Sequence, residues 1–306
     1  MELLVVVQNL GQGGLRDGSG APEDRWPLLA ERILTAGGPA APPDLVLLQE
    51  AVDWGRYGHR QLALAMRDLD MDALPLPPSG SGYPTALLYR RETVGRWLNW
   101  NVDFAHRTLH GFGVATFDVG LPAPLAVASV HLDPFSPDSA RAEAKLAATR
   151  ALRYGPYGMV CGDINYPPAS PDSPEPDYAA MRPYNRSART LLPSQARTAL
   201  PSQAGALLTE VGPAAAVPDR RVAETLAHTG YVDAAWHLYQ QNRDPELLRR
   251  TSTDDRIDQA WVSAPLAPAV TGYRVLDAPA GASDHHGLAV HLDLARAATD
   301  DVWEYR

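Results

Sequence analysis

Apolar and polar positions along this chain keep changing period. Residues 3–9 are an apolar run that closes on Gln8 and Asn9, and they predict a strand. Over 22–36, Trp26, Leu29, Ile33 and Leu34 recur at helical spacing, and Gly37-Gly38 predicts the stop. Residues 44–50 are short and continuously apolar, the pattern of a strand buried on both faces. Leu62, Leu64, Ala65, Met66 and Leu69 predict a helix over 59–69. Strands are predicted at 85–89, 96–99, 113–119 and 125–131. A helix follows over 136–151, with Pro137 just inside its start. Further strands are predicted at 157–163, 257–262, 270–276 and 287–292, with helices near 219–229 and 232–240. Such alternation predicts α/β layers rather than an all-α or all-β domain. Pattern alone does not separate a doubly wound sheet from two packed sheets.

The strand ends carry the more specific signal. Strands commonly end in Gly, Pro, Ser or Asn turns. Here Asn9, Glu50, His131, Asp163 with Asn165, and Asp284 with His285 stand at the ends of apolar runs, and Asp258 opens one. Six strand ends so furnished predict one site, built where strands meet their loops. An unpaired carboxylate at Glu50, directly after an apolar strand, would be costly. Asp163 and Asn165 are two apart, which puts both side chains on one face of an extended chain. The bland alternatives are turn residues at Asn9, an Asx turn at Asp163 and a satisfied, half-buried imidazole at His131.

Composition narrows the picture. With 306 residues, 45% apolar and 21% charged, the chain reads as an ordinary globule. We expect a single domain over 1–295 and a tail over 296–306, where Trp303 and Tyr305 are candidates to dock. No window approaches a membrane span, so no membrane partner is expected. Cys161 is the lone cysteine, which excludes an internal disulfide and suggests the cytoplasm. Nearly all the basic charge is Arg, with Lys145 the one lysine, in a chain rich in Ala and Pro; a GC-rich genome accounts for this. The net charge of −9 argues against a broad electrostatic grip on duplex DNA. No protein partner is inferable.

Five short runs sharpen the strand-end signal: Leu-Leu-Gln-Glu at 47–50, Ser-Val-His-Leu at 129–132, Gly-Asp-Ile-Asn at 162–165, Arg-Ile-Asp at 256–258 and Ser-Asp-His at 283–285. Each alone is weak. In this order, from about Leu3 to Leu292, the set resembles the endonuclease/exonuclease/phosphatase superfamily with its deoxyribonuclease I-like fold. The resemblance implies an α/β four-layer sandwich, two mixed β-sheets face to face and flanked by helices. It implies a Mg²⁺- or Mn²⁺-dependent phosphodiester hydrolase, most simply a nuclease acting on DNA or RNA. Glu50 would anchor the metal, with Asn9 at the same metal or on the phosphate and Asp284 as a metal-side carboxylate. Asp163 would touch the attacking water or the metal, and Asn165 would orient the phosphate. Asp258 would fix the tautomer of His285 against the scissile phosphate. His131 would bind phosphate or protonate the leaving group. The same site would serve a phosphoesterase for a small-molecule or lipid-derived phosphate. A non-catalytic binding module is the third reading, and the intact residue set counts against it.

Some features depart from the family pattern. Relatives often give the residue at His131 a carboxylate partner, yet residues 80–85 hold no acid. His286-Gly287 stands where a proline often follows; His286 is expected to be a loop neighbour. His110 and Arg107 are candidates to touch a phosphate. Trp97, Trp100, Phe104 and Phe112 are candidates to stack bases, although aromatics on strands are more often core. His59, His228, His237 and His291 read as structural. Residues 167–218 are rich in Pro, Ser and Ala and far longer than a normal loop. Within them Arg182, Tyr184, Asn185 and Arg186 suit gripping a phosphate or stacking a ring. We expect 178–189 to lie ordered at the mouth of the site. Residues 190–217, where Leu-Pro-Ser-Gln-Ala at 192–196 returns at 200–204, are expected to be mobile. No zinc spacing and no nucleotide-binding glycine loop is present.

Overall fold

Twelve strands emerge from the apolar runs in a computed structural model that describes residues 1–38, 41–170, 172–192, 195 and 216–300. They are β1 (Glu2–Asn9), β2 (Leu45–Gln49), β3 (Asp72–Ala73), β4 (Ala86–Tyr89), β5 (Trp97–Asn101) and β6 (Val114–Phe117). They continue as β7 (Leu125–His131), β8 (Gly158–Asp163), β9 (Tyr231–Asp233), β10 (Asp258–Ser263), β11 (Val270–Leu276) and β12 (Gly287–Asp293). Two six-stranded sheets form, in the orders β11-β12-β1-β2-β4-β3 and β5-β6-β7-β8-β10-β9. Each is antiparallel except for one central parallel pair, β1 with β2 and β7 with β8.

Strand alternation explains why the sheets face each other. Leu3, Val5 and Val7 of β1 point into one core with Leu45, Leu47, Leu125, Val127, Met159, Cys161, Ala260 and Val262. The intervening Leu4, Val6, Val46 and Leu48 pack outward on the helices Trp26–Leu34 and Arg56–Leu69. On the other sheet Ala126, Ala128, Val130 and Val160 pack on the helices Pro137–Ala151 and Arg221–His228. Both faces of each central strand are therefore buried, which is why these runs read as continuously apolar. The result is the four-layer sandwich that the sequence motifs imply.

The predicted elements form, with small shifts at their ends. The first helix starts at Trp26, where Pro27 needs no backbone donor. The short strands β3 and β9 and the helices Arg91–Val94 and Pro183–Arg189 are not foreseen in the sequence pattern. Two- and three-residue strands carry too few positions to show a period. Most of the Leu-Pro-Ser-Gln-Ala repeat and of the 190–217 stretch expected to be mobile, and Trp303 with Tyr305, lie outside the described residues. No helix among the described residues is long and apolar enough to cross a membrane.

Candidate active site

The same alternation that builds the inter-sheet core delivers the polar side chains. Asn9 follows Leu3, Val5 and Val7 at even steps. His131 follows Leu125, Val127 and Ser129, and Asp163 follows Met159 and Cys161. Asp258 precedes Ala260 and Val262 in the same parity. These residues thus cap the inter-sheet core at one edge, where both parallel pairs end. His131 lies opposite Asp163 across β7–β8, and Asp163 lies opposite Asp258 across β8–β10. Gln49 Nε2 donates to Ser129 Oγ (3.1 Å), and Ser129 Oγ donates to the Leu48 carbonyl (3.1 Å), which ties the two sheets just beneath.

Local backbone sets the rest. Glu50 leaves β2 in the left-handed region (φ 58°), rare for a residue with a Cβ, and this turns its carboxylate into the cleft. Glu50 Oε2 accepts from the Gln12 N–H (2.8 Å), and Asn9 Nδ2 approaches Oε1 at 3.5 Å. Asn9 Nδ2 also donates to Asp163 Oδ2 (3.0 Å), and its Oδ1 accepts from the Gly11 N–H (3.0 Å). The expected Asx turn at Asp163 does form: Oδ1 accepts from the Asn165 N–H (2.9 Å). It occupies one carboxylate oxygen and leaves Oδ2 for the cleft. Asn165 is itself left-handed (φ 64°), and its Nδ2 donates to the Leu132 carbonyl (2.9 Å), which joins the exits of β7 and β8.

His285 Nδ1 pairs with Asp258 Oδ2 at 2.8 Å, and its Nε2 faces Asp163 Oδ2 at 3.9 Å. Burial pulls the imidazolium of His285 down. Asp258, then Asp163 and Asp284, outweigh burial and hold it up at about 10 while those carboxylates carry no cation. Burial raises the Asp258 carboxyl, against the pull of the His285 charge. The Asp258 backbone N–H donates to Thr251 Oγ1 (2.9 Å). Ser283 Oγ, which accepts from the His285 N–H (3.1 Å), donates to the Asn9 carbonyl (2.9 Å).

His131 finds no carboxylate of its own. Its Nε2 lies 3.6 Å from Asp163 Oδ2, and its buried Nδ1 has no hydrogen-bond partner among the described residues. The ring of His110 stacks on it instead, with centroids 3.9 Å apart and planes at 8°. Ser81, from the acid-free 80–85 segment, holds His110 Nδ1 at 2.8 Å. Burial, then the neighbouring His131, pushes His110 down to about 3, so it stacks as a neutral ring. His110 thus joins the site, while Arg107 stays exposed and outside the cleft.

A cleft of about 560 Å³ opens over these groups and is lined by Glu50, His110, His131, Asp163, Asn165, Asp284 and His285. The helix Pro183–Arg189 contributes to its wall, as do Arg182 and Phe135. Here one expectation is corrected. Arg186 does not line the cleft, because its guanidinium turns back to donate to the Tyr178 carbonyl (3.4 Å). Arg189 lines it instead. The four aromatics of the 97–112 region belong to the core: Phe112 is buried, Trp97 and Trp100 pack on the inter-sheet layer, and Phe104 lies under Arg150. His286 accepts from the Ala278 N–H (3.1 Å) as a loop neighbour.

Two buried arginines escaped sequence reading. Arg25 donates to the carbonyls of Gly11 and Ala282, which locks the Asn9 and Asp284 loops together. Arg256, quoted only as part of a motif, pairs with Asp233 at 2.5 Å and fixes the start of β10. Their signal, an Arg just before an apolar element, is too common to stand out.

The donor set can be weighed against a divalent cation. Glu50 and Asp284 present carboxylates to the cleft, the hard oxygen ligands that a small cation takes together with water, while Asn9 turns its Nδ2 toward Glu50 and Asp163 and its Oδ1 accepts from the Gly11 N–H. Asp163, Asp258 and His285 also bring one ligand atom each within 4.8 Å of one another. In that group Asp258 Oδ2 and His285 Nδ1 already engage each other, so the Glu50 side fits the cation better.

Residues 9–285 match the family model described as Endonuclease/Exonuclease/phosphatase family. No curated sequence matches the chain. Among solved structures, the 3'-5' exonuclease (NExo) from Neisseria meningitidis is 16% identical with a TM-score of 0.59, covering 95% of this chain and 100% of that one. D. rerio TDP2 complexed with single strand DNA product is 16% identical with a TM-score of 0.58, covering 95% and 99%. An AP endonuclease from Archaeoglobus fulgidus is 14% identical with a TM-score of 0.56, covering 95% and 99%. At such identities the likeness shows the shared fold.

Proposed function

Because the chain belongs to the endonuclease/exonuclease/phosphatase family, a family of hydrolases acting on phosphoester bonds, we propose that it is a Mg²⁺- or Mn²⁺-dependent phosphodiesterase acting on nucleic acid. One observation carries the reading. Asn9, Glu50, His131, Asp163, Asn165, Asp258, Asp284 and His285 meet at one end of the inter-sheet core, with the His285–Asp258 pair at 2.8 Å. Several of the solved structures with this fold are described as DNA-processing proteins, which favours DNA as the first substrate to try.

Glu50 and Asp284 would hold the cation, with the Asn9 amide N–H orienting the Glu50 and Asp163 carboxylates beside it. When bound, it neutralises charge on the phosphate oxygens and lowers the cost of ionising water. Asp163 Oδ2 is oriented by the Asn9 amide and accepts the proton of the attacking water. The water oxygen bonds to phosphorus as the bond to the leaving oxygen breaks. His285, fixed by Asp258, presents its Nε2 N–H to the equatorial oxygens. His131 supplies a proton to the leaving oxygen, and the neutral ring of His110 holds it flat. A small-molecule phosphoester is the second reading, favoured by the helix Pro183–Arg189 at the cleft wall. The buried Cys161 thiol, pushed up to about 12 by burial, takes no part and suits a reducing cytoplasm.

The test is metal titration of wild type and Glu50→Gln, followed by calorimetry and by hydrolysis of single-stranded, duplex and small phosphodiesters. The variant should keep its fold, bind the cation at least tenfold more weakly and lose most hydrolysis. Equal activity at every metal concentration would overturn the assignment of Glu50.

A further inference from the structure

Three side chains in the cleft lie outside the group that meets the scissile phosphate. Arg189 is 7% exposed, and its Nη1 is buried without a hydrogen-bond partner among the described residues. The buried Asp255 carboxyl feels the Arg189 charge, yet its own Oδ2 is also without a hydrogen-bond partner. Burying an ion incompletely matched costs on the order of several kcal/mol, which an arriving anion offsets. Phe135 and Tyr184 are 72% and 58% exposed, and both line the same cleft.

The presentation of Phe135 is built into the backbone. Asp133 Oδ1 accepts from the N–H groups of Phe135 (2.7 Å) and Ser136 (3.1 Å), and the Asp133 N–H donates to Glu143 Oε2 (2.8 Å). The ring is thus held out into water by a turn anchored on the helix Pro137–Ala151. Tyr184 carries the Arg182 guanidinium over its ring at 5.7 Å. Exposed apolar rings beside cations, in a cleft that cuts a phosphoester, are the parts of a stacking platform.

We propose that this cleft holds single-stranded nucleic acid, with bases stacked on Phe135 and Tyr184 and a non-scissile phosphate on Arg189. The proposal rests on the phosphoesterase reading for the point of cleavage and adds the class of substrate. Bases in a duplex are already stacked on their neighbours, so their faces cannot meet these rings. A net charge of −9 also argues against a broad electrostatic grip on a duplex. A single strand asks for few phosphate contacts and offers every base a free face.

Binding measured in chelator separates this inference from catalysis. Labelled oligonucleotides, DNA and RNA of one sequence, are titrated as single strands and as blunt duplexes into wild type, the double variant Phe135→Ala with Tyr184→Ala, and Arg189→Gln. Wild type should prefer the single strand by at least about tenfold. The double variant should lose about ten- to a hundredfold, since stacking contributes about 1–3 kcal/mol per base. Arg189→Gln should lower the slope of log affinity against log salt by about 0.7, one phosphate's share. Phe135 and Tyr184 are exposed, so the double variant tests the idea even if Arg189→Gln folds poorly. Loss for either DNA or RNA supports the inference, and the arm affected identifies the sugar. Duplex bound as tightly as single strand, or a double variant that binds like wild type, overturns it. If wild type binds the strand but hydrolyses no phosphoester with any metal, the hydrolase reading fails and this inference stands.

Discussion

At the scale of single residues, the site is a set of shared contacts rather than independent groups. Asp163 Oδ2 is approached by Asn9, His131 and His285 at 3.0, 3.6 and 3.9 Å, so it sits where three strand ends meet. His285 and Asp258 form the closest pair, and we expect them to act as a unit. His285→Ala should lower kcat by about two to four orders of magnitude. Asp258→Asn should lose nearly as much, and the double variant little more, because residues acting together are not additive. Single-turnover kinetics on the three variants checks this; additive losses would mean separate roles. His110 is the residue-scale surprise. Residues 80–85 hold no carboxylate to pair with His131, and the structure places the neutral imidazole of His110 beside it, held by Ser81.

At the scale of elements, two devices position the strands and loops of the candidate site. Gly162 (φ 148°) lies in β8 beside β7, and a methyl group there would fall 1.9 Å from the Val130 carbonyl oxygen. Gly162→Ala should force β7 and β8 apart and lower stability by roughly 1–3 kcal/mol. The thermal midpoint should drop, and turnover should drop with it, because His131 and Asp163 end these strands. An unchanged midpoint would show that the sheet yields freely. The second device is Glu143 on the helix Pro137–Ala151. Its two oxygens accept from the Leu109 N–H (2.7 Å) and the Asp133 N–H (2.8 Å), and so it positions the loops of His110 and Phe135. Burial pushes its carboxyl up to about 7, against those two donors. A carboxyl raised on folding binds its proton more tightly in the native state. Its contribution is therefore full below the unfolded value near 4.5 and is lost as pH rises to about 7. Thermal unfolding of wild type relative to Glu143→Gln should show that loss across this window and a flat difference above it. A flat difference throughout would mean that Glu143 titrates normally.

At the scale of the whole molecule, charge bears on how substrate is held. The chain carries −9 overall, and the cleft wall offers Arg182 and Arg189 as its arginines. With about two phosphates neutralised, the slope of log kcat/KM against log salt on a single strand should be near −1.4. A much steeper slope would reveal a basic surface outside the cleft. The two sheets meet below the site through Gln49 and Ser129, so the site is also the point where the halves of the sandwich are pinned. Pinning of this kind keeps groups from different sheets within hydrogen-bond reach.

The sequence by itself determined the strands and helices, and the order of its motifs, rather than their period, implied the layers and the candidate site. Continuous apolar runs specify strands buried on both faces, and even spacing carries Asn9, His131, Asp163 and Asp258 onto the same side as the core residues of their own strands. Local chemistry of that kind is legible because the period of a strand is fixed by its backbone. Tertiary structure alone decided what depends on distant segments meeting. Stacking of His110 on His131 joins two separate loops, the buried clamp of Arg25 joins Gly11 to Ala282, and Arg186 turns back to Tyr178 within its own segment and leaves the cleft wall to Arg189. A side chain's partner there is set by which loops the packed sheets bring together, and no periodicity along one segment encodes it.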